Sequence, residues 1–301
     1  MPAPYPSLPA ADPDLAGAVA DTLDAVRARR PLVHNITNLV VANSTANALL
    51  AIGASPAMVM SPEEAGAFAR IADSLVINLG TVDAVSAGAM RLAAAAAQEA
   101  GTPWVLDPVA VGPLSFRSEL ALSLLRFRPG AIRGNASEIM ALSGLCGAPA
   151  DGSTGDDGGG DDTGSDDTGG GRGVDSAHGA DAARSAAIAL ARHTGAAVSV
   201  SGAVDLVTDG VRTLRIGNGN PLMTRVTGLG CTATALTGAC LSTASDTLQA
   251  AAHAMVLTGL AGEIAAEEAA GPGSLQVRLL DALHALDRDT LVARARCWWE
   301  R

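Results

Sequence analysis

The chain has 301 residues, of which 48% are hydrophobic and only 2% aromatic, and its formal net charge is −11. That length fits one large α/β domain or two small ones, with a core of Ala, Val, Leu and Ile, and the lack of a basic stripe or aromatic surface argues against a nucleic-acid partner. All 20 basic residues are Arg, which excludes a P-loop lysine, a Schiff-base lysine and a lysine general base.

Residues 1–13 hold five prolines and are expected to form an irregular or disordered arm. Asp14 to Arg30 has helical spacing, with Leu15, Val19, Leu23 and Val26 on one face. Pro31–Ile36 reads as a strand running into a polar loop at Thr37-Asn38. Val40 to Leu50 is helical, and Ala57–Met60 is read as a short buried strand. Ser61-Pro62-Glu63-Glu64 is a helix start, with Ser as N-cap. Ser74–Leu79 is a strand ending at Gly80-Thr81, and Ser86 to Glu99 is a helix. Pro103–Pro108 is a strand that ends on Asp107. Ser118 to Arg126 is helical, Ala131–Asn135 is a strand, and Ser137 begins a helix with Glu138 in its first turn.

Residues 151–172 are rich in Gly and hold seven Asp and one Arg, so they carry −6 of the net charge. They are expected to be a disordered, solvated insert. A calcium-binding β-roll is disfavoured because such repeats need regular apolar positions. The pattern resumes with a helix at Ala180 to His193 and a strand at Ala197–Gly202. A hairpin around Asp209-Gly210 joins Asp205–Gly210 to Val211–Ile216. Asn218–Cys240 contains a glycine turn, Gly228-Leu229-Gly230-Cys231, followed at once by an uncharged run of small residues that reads as a buried helix. Helices at Asp246–Glu268 and Ser274–Leu286 follow, and Thr290 to Arg301 is read as a fraying end. No run of about 20 apolar residues marks a membrane span, and the N-terminus has no signal-peptide pattern. Cys146, Cys231, Cys240 and Cys297 lack the spacing of a zinc site or disulfide framework, so a reducing cytoplasm is expected.

Strands alternate with helices from Val33 to Cys231, the pattern of a mostly parallel sheet with helices on both faces. Ligands of such sheets collect at the carboxyl ends of the strands. There lie Asn35, Asn78–Thr81, Asp107, Arg133-Gly134-Asn135 and Ser201-Gly202, beside Gly228–Cys231. The glycine turn is either an anion site, where free N–H groups and the helix dipole meet a phosphate, or a plain structural turn. Asp107 and Glu138 are either holders of Mg²⁺ with a nucleotide or capping residues. Arg133 is either a phosphate contact or one half of a salt bridge to Glu138 or another acid. Cys231 is either a small buried hydrophobe or a base or nucleophile whose thiol pKa is lowered at the helix N-terminus.

His34-Asn35-Ile36-Thr37-Asn38, Ala51–Met58, Ile77–Thr81, Leu106–Gly112 and Ile132–Ile139 together resemble the hydroxyethylthiazole kinases of thiamine salvage, as do Leu222-Met223-Thr224 and Gly228-Leu229-Gly230-Cys231. The resemblance runs from about residue 31 to about residue 286, outside the insert. It implies a ribokinase-like α/β fold, a single kinase domain over 14–301, and a homotrimer with active sites between subunits. It also implies ATP- and Mg²⁺-dependent phosphorylation of the hydroxyl of 4-methyl-5-(2-hydroxyethyl)thiazole. By motif, Met58 and Gly228 would contact the thiazole, with Asn35 nearby. Arg133 and Ser201 would contact ATP, and Asp107 and Glu138 would hold magnesium directly or through water. Cys231, with Gly230 before it, would stand at the catalytic position where other ribokinase-like enzymes carry Asp. Leu229 departs from the small residue usual between the two glycines. The insert is also atypical and is expected to lie away from the active edge.

Two competing readings are another ribokinase-like activity, such as a hydroxymethylpyrimidine kinase or an NAD(P)H-hydrate dehydratase, and a non-catalytic thiazole-binding protein. The first usually has Asp at the Cys231 position. Intact Asp107, Glu138 and Arg133 count against the second.

Overall fold

The computed structural model describes residues 12–148, 179–244 and 246–300. Its strands are β1 (Leu32–Ile36), β2 (Ser55–Ala57), β3 (Ser74–Asn78), β4 (Trp104–Asp107), β5 (Ala131–Asn135), β6 (Ala197–Ser201), β7 (Asp205–Thr208), β8 (Thr213–Ile216) and β9 (Cys297–Trp299). They form one sheet in the order β2-β1-β3-β4-β5-β6-β7-β8-β9. The first six pair in parallel, and β6 through β9 pair antiparallel.

The inner strands bury both faces, so their apolar residues alternate between two cores. Val33, Val76, Val105, Ala131 and Ala197 face one core. Leu75, Ile77, Leu106, Ile132 and Val198 face the other. The first core is covered by α1 (Pro13–Arg29), α2 (Ala42–Ala51), α8 (Leu229–Leu241), α9 (Thr247–Glu267), α10 (Pro272–Ala285) and α11 (Arg288–Arg294). The second is covered by α3 (Pro62–Ile71), α4 (Ala84–Ala100), α5 (Ser115–Leu125), α6 (Ala136–Leu145) and α7 (Arg184–Thr194). Burying one Val, Leu or Ile contributes about 1.5–3 kcal/mol, so the Val/Leu/Ile runs of the strands fix this layering.

The helix starts follow capping chemistry. Asp83 caps α4 through Ser86 N, and Asn135 caps α6 through Glu138 N, each in a reciprocal capping box. Asp12 caps α1 through Asp14 N, and Pro13 opens that helix, so the expected irregular arm does not extend to residue 13. Ser61 stands at the N-cap of α3, but its hydroxyl donates to the Glu63 carboxylate and caps no helix N–H. Inside α8, Thr237 satisfies its hydroxyl by donating to Ala233 O at 2.9 Å, which lets a threonine sit in the core.

Two further readings need correction. The strand placed at Ala57–Met60 is instead Ser55–Ala57, held by pairing of Leu32, Val33 and His34 with Ser55, Pro56 and Ala57. It is a half-buried edge strand, which is why it tolerates Pro56. The last residues do not fray. Thr290 lies inside α11, and β9 adds a ninth strand beside β8, pairing Leu214 with Trp299 and Ile216 with Cys297. Glu300 accepts from Arg215 at 2.6 Å and Arg184 at 2.9 Å, and Arg296 pairs with Glu263. The expected insert, residues 151–172, lies outside the described residues. Its flanks are placed, however. Cys146 ends α6 beside Arg128 and His193, which precede β5 and β6, so it stands at the amino edge of the sheet. Ala180 lies against Gly202 at the carboxyl edge, its Cβ 3.1 Å from an ideal Cβ on that glycine.

Candidate active site

The carboxyl edge gathers its polar residues because β3 and β4 stop in register. Asn78 pairs with Asp107, and both point toward the core that α8 covers, as Val76 and Val105 do two residues earlier. Asp107 is 1% exposed. Its Oδ2 accepts from Asn78 Nδ2 at 2.6 Å and from Thr234 Oγ1 at 2.8 Å. Asn78 Oδ1 accepts from Asn38 Nδ2 and from Gly80 N, both at 2.9 Å. Asn38 Nδ2 also reaches Cys231 Sγ at 3.4 Å. One hydrogen-bonded network therefore joins the Asp107 carboxylate to the Cys231 thiol.

Helix α8 begins at Gly228, whose φ of 82° is left-handed. A side chain there would also strike Val41, so glycine is required by conformation and by space. Gly228 offers no side-chain cap, and the N–H groups of Leu229, Gly230 and Cys231 take no backbone partner among the described residues. These are the free donors of a helix's first turn, aided by the dipole. The Arg133 guanidinium packs onto this turn, with Nη1 2.5 Å from where an ideal Cβ on Gly230 would stand. Arg133 forms no ion pair among the described residues, and its buried Nε has no partner there, so the expected alternative of a salt bridge to Glu138 is not made. The cation is thus held ready for an anion, next to the donors of α8. Leu229 turns its side chain into the α8–α9 core.

Glu138 performs the capping role. Its Oε2 accepts from Asn135 N and its Oε1 from Ala110 N, both at 2.9 Å. Ser201 closes β6 opposite Asn135, and its hydroxyl donates to Gly134 O at 3.4 Å. Asn35 is buried at the end of β1. Its Nδ2 donates to Val33 O, and its Oδ1 has no partner among the described residues. Met58 follows β2, three strand spacings or about 14 Å along the sheet from β4. Asp107, Gly228, Gly230, Cys231 and Arg133 are therefore brought together, while Met58 stands apart within one chain.

Burial sets the electrostatics. It pushes Asp107 up to about 6; the Arg133 charge opposes this and Glu138 adds to it. Asp205, which accepts from Gly202 N at 2.8 Å, is pushed up to about 7 by burial, again opposed by Arg133. Cys231 is pushed up to about 11, chiefly by burial and then by the Asp107 charge. This overturns the expectation of a lowered thiol pKa. The helix terminus favours a thiolate, but loss of solvent and a neighbouring carboxylate outweigh it.

The donor set fits a magnesium ion. Asp107 Oδ1 takes no hydrogen bond from any described residue, and Mg²⁺ keeps several waters while using one or two carboxylates plus substrate phosphates. A nearby divalent charge also favours the ionised form of a carboxylate that burial otherwise opposes. With both its oxygens engaged by backbone donors, Glu138 suits contact through water.

Asn38 and Thr234 were not among the expected site residues, and Asn78 was expected on this edge but without a role. Asn78 carried a signal: it closes a strand in the same pattern as Asp107 does one strand later. Thr234 carried none, since its role depends on which face of α8 meets β4. A second cleft, lined by Leu125, Arg128, Cys146 and His193, lies at the amino edge, away from these carboxylates.

The sequence pattern of the hydroxyethylthiazole kinase family matches residues 23–157 and 164–289. A hydroxyethylthiazole kinase of Granulibacter bethesdensis is 59% identical over 274 residues, spanning 91% of this chain and 92% of that protein. The solved structure of the hydroxyethylthiazole kinase protein from Pyrococcus horikoshii OT3 superposes with a TM-score of 0.81 at 39% identity, covering 94% of this chain and 99% of that one. A ribokinase-like superfamily protein of Enterococcus faecalis V583 shares the fold, with a TM-score of 0.58 at 13% identity, over 96% of this chain and 100% of that one.

Proposed function

The chain belongs to the hydroxyethylthiazole kinase family, and on that premise we propose that the edge between β4 and α8 is where it transfers the γ-phosphoryl group of ATP to the hydroxyl of 4-methyl-5-(2-hydroxyethyl)thiazole in thiamine salvage. The observation that carries the reading is the Arg133 guanidinium seated on Gly230, beside the open first turn of α8. With no lysine in the chain, arginine and backbone N–H groups must meet the phosphate charge.

Transfer is in-line. The substrate hydroxyl lies near Cys231, and the N–H groups of Leu229, Gly230 and Cys231 receive the charge that develops on the transferred group. Removing one such donor typically costs about 10²–10³ in rate. Arg133 and Ser201 hold the nucleotide, Gly228 contacts the thiazole, and Asn35 lies close by. When bound, Mg²⁺ neutralises phosphate charge, with Asp107 as direct holder and Glu138 acting through water. The Cys231 thiol is protonated near neutral pH, so its part is to place the acceptor rather than to take its proton.

The active assembly is a homotrimer with a partner's residues completing each site. Two features support this. Met58 stands apart from Cys231 within one chain, and Leu39 and Val40, just beyond the Asn38 that touches Cys231, are 74% and 65% exposed. One domain over 14–301 carries the reaction, which calls for the cytoplasm, where ATP is available. Among the described residues, no helix is long and apolar enough to cross a membrane.

The test is ATP-dependent phosphorylation of the thiazole alcohol by purified protein. Product that forms with Mg²⁺ and vanishes with EDTA is expected. Binding of the thiazole without any product would overturn the assignment of the transfer step.

A further inference from the structure

Asp107 presents its two oxygens unequally. Thr234 Oγ1 and Asn78 Nδ2 both donate to Oδ2, at 2.8 and 2.6 Å, and no described residue donates to Oδ1. A carboxylate oxygen that accepts two hydrogen bonds has both its lone-pair directions occupied. What remains for a cation is Oδ1.

The direction of these bonds is fixed by the backbone. Gly80 N–H points at Asn78 Oδ1 at 2.9 Å, and a backbone N–H can only donate. The side-chain oxygen of Asn78 must therefore face Gly80, and its amide nitrogen must face Asp107. Asn38 adds a second donor to that same oxygen and reaches Cys231 Sγ with the same nitrogen. Asn78 is 1% exposed and Thr234 is fully buried, so water cannot replace either donor.

We propose that Asn78 and Thr234 are positioning residues that hold Asp107 so that one oxygen alone, Oδ1, is offered to the divalent cation, and that Asn38 ties this carboxylate to Cys231 in one frame. The inference rests on the assignment of Asp107 to the metal. The frame has a use in the reaction. Cys231 marks where the acceptor hydroxyl lies and Asp107 marks where the cation lies, so their spacing sets the alignment of acceptor and phosphoryl group. Without the two donors the carboxylate is free to rotate or to present both oxygens.

The experiment titrates Mn²⁺ alone into the full-length protein and reads free Mn²⁺ by electron paramagnetic resonance. The variants are Thr234→Val, which keeps the shape but loses the donor, Thr234→Ser, which keeps the donor, Asn78→Leu and Asp107→Asn. Loss of hydrogen-bonding partners behind a metal ligand typically weakens binding about 10–100-fold, and that loss is expected for Thr234→Val and Asn78→Leu. Thr234→Ser should restore near wild-type affinity, a rescue that a merely space-filling role would not give. Metal-free ADP affinity should be unchanged in the Thr234 and Asn78 variants, since Arg133, Ser201 and the Asp107 charge are untouched. Wild-type Mn²⁺ affinity in folded Thr234→Val and Asn78→Leu, with binding lost in Asp107→Asn, would overturn the positioning role and leave the metal assignment standing. Wild-type affinity in Asp107→Asn would overturn both. If Asn78→Leu does not fold, the Thr234 pair decides the question by itself.

Discussion

The guanidinium of Arg133 occupies the space that a side chain on Gly230 would need, with Nη1 2.5 Å from the ideal Cβ position. Two residues nearly a hundred positions apart therefore share one small volume at the mouth of α8. Gly230→Ala should drive the guanidinium off the turn and raise the KM for ATP by about tenfold or more, the equivalent of losing one charge-assisted hydrogen bond of about 1.5–3 kcal/mol. The thiazole KM should move little. Initial rates at varied ATP and varied thiazole separate the two effects, and an unchanged ATP KM would remove Arg133 from the nucleotide site.

Cys231→Asp is expected to keep or raise kcat. The thiol is pushed up to about 11, so the wild-type enzyme already works without a thiolate near pH 7. Phosphoryl transfer depends on placement more than on proton removal. A folded Cys231→Asp protein that binds thiazole but turns nothing over would show that the thiol itself is needed.

His253 is 3% exposed, with Nδ1 2.8 Å from Thr22 Oγ1 and Nε2 without a partner among the described residues. Burial lowers its pKa from 6.5 to about 4. The unfolded chain thus binds the proton more tightly, and the stability tied to the neutral ring is complete above pH ~6.5 and falls as pH drops toward 4. The full effect is about 3 kcal/mol. Asp205 and Asp107 are raised and act with the opposite sign over much of the same range, so the wild type alone will not isolate the histidine. Urea unfolding of wild type and His253→Gln at pH 7.5 and 4.5 does. The stability gap between them should shift in favour of the variant by about 2–3 kcal/mol at the lower pH. A gap independent of pH would mean that the ring is protonated in the folded state.

Deleting residues 297–301 should destabilise the fold. It strips β9 from β8, uncovers Ile216 and Leu214, and removes the Glu300 carboxylate from Arg215 and Arg184. Burial of the strand's side chains and its hydrogen bonds contribute about 3 kcal/mol, or a fall in Tm of roughly 5–10 °C. Thermal unfolding by circular dichroism checks it, and an unchanged Tm would mean that β9 contributes nothing to the cooperative unit.

The sheet was legible because its inner strands are short apolar runs bounded by turn residues, and because Asp209-Gly210 marks its hairpin. What escaped depended on pairing at a distance. Ser55-Pro56-Ala57 is a strand only because Leu32–His34 lies beside it, and Cys297–Trp299 only because the chain end returns to β8. The site followed the same division. Asp107, Arg133, Gly228, Gly230 and Cys231 stand out by residue type at the ends of elements. The state of the Cys231 thiol does not, since the local dipole argument gives one sign, and burial beside Asp107 gives the other. Asn78 and Thr234 become meaningful only once the register of β3 with β4 and the inward face of α8 are known.

The described ends of the connection between α6 and α7 lie on opposite edges of the sheet. The chain leaves at Cys146 on the amino edge and re-enters at Ala180, against Gly202 on the carboxyl edge. The ten-residue α6 rises about 15 Å, so an extended connector needs at least about five residues to cover the same height. For protein engineering this sets a floor. Excising residues 151–172 leaves enough chain to bridge the edges and should leave kcat/KM unchanged. Trimming further, to fewer than about five linking residues, would have to unwind the end of α6 or pull Ala180 from Gly202, and with it the strand end that carries Ser201.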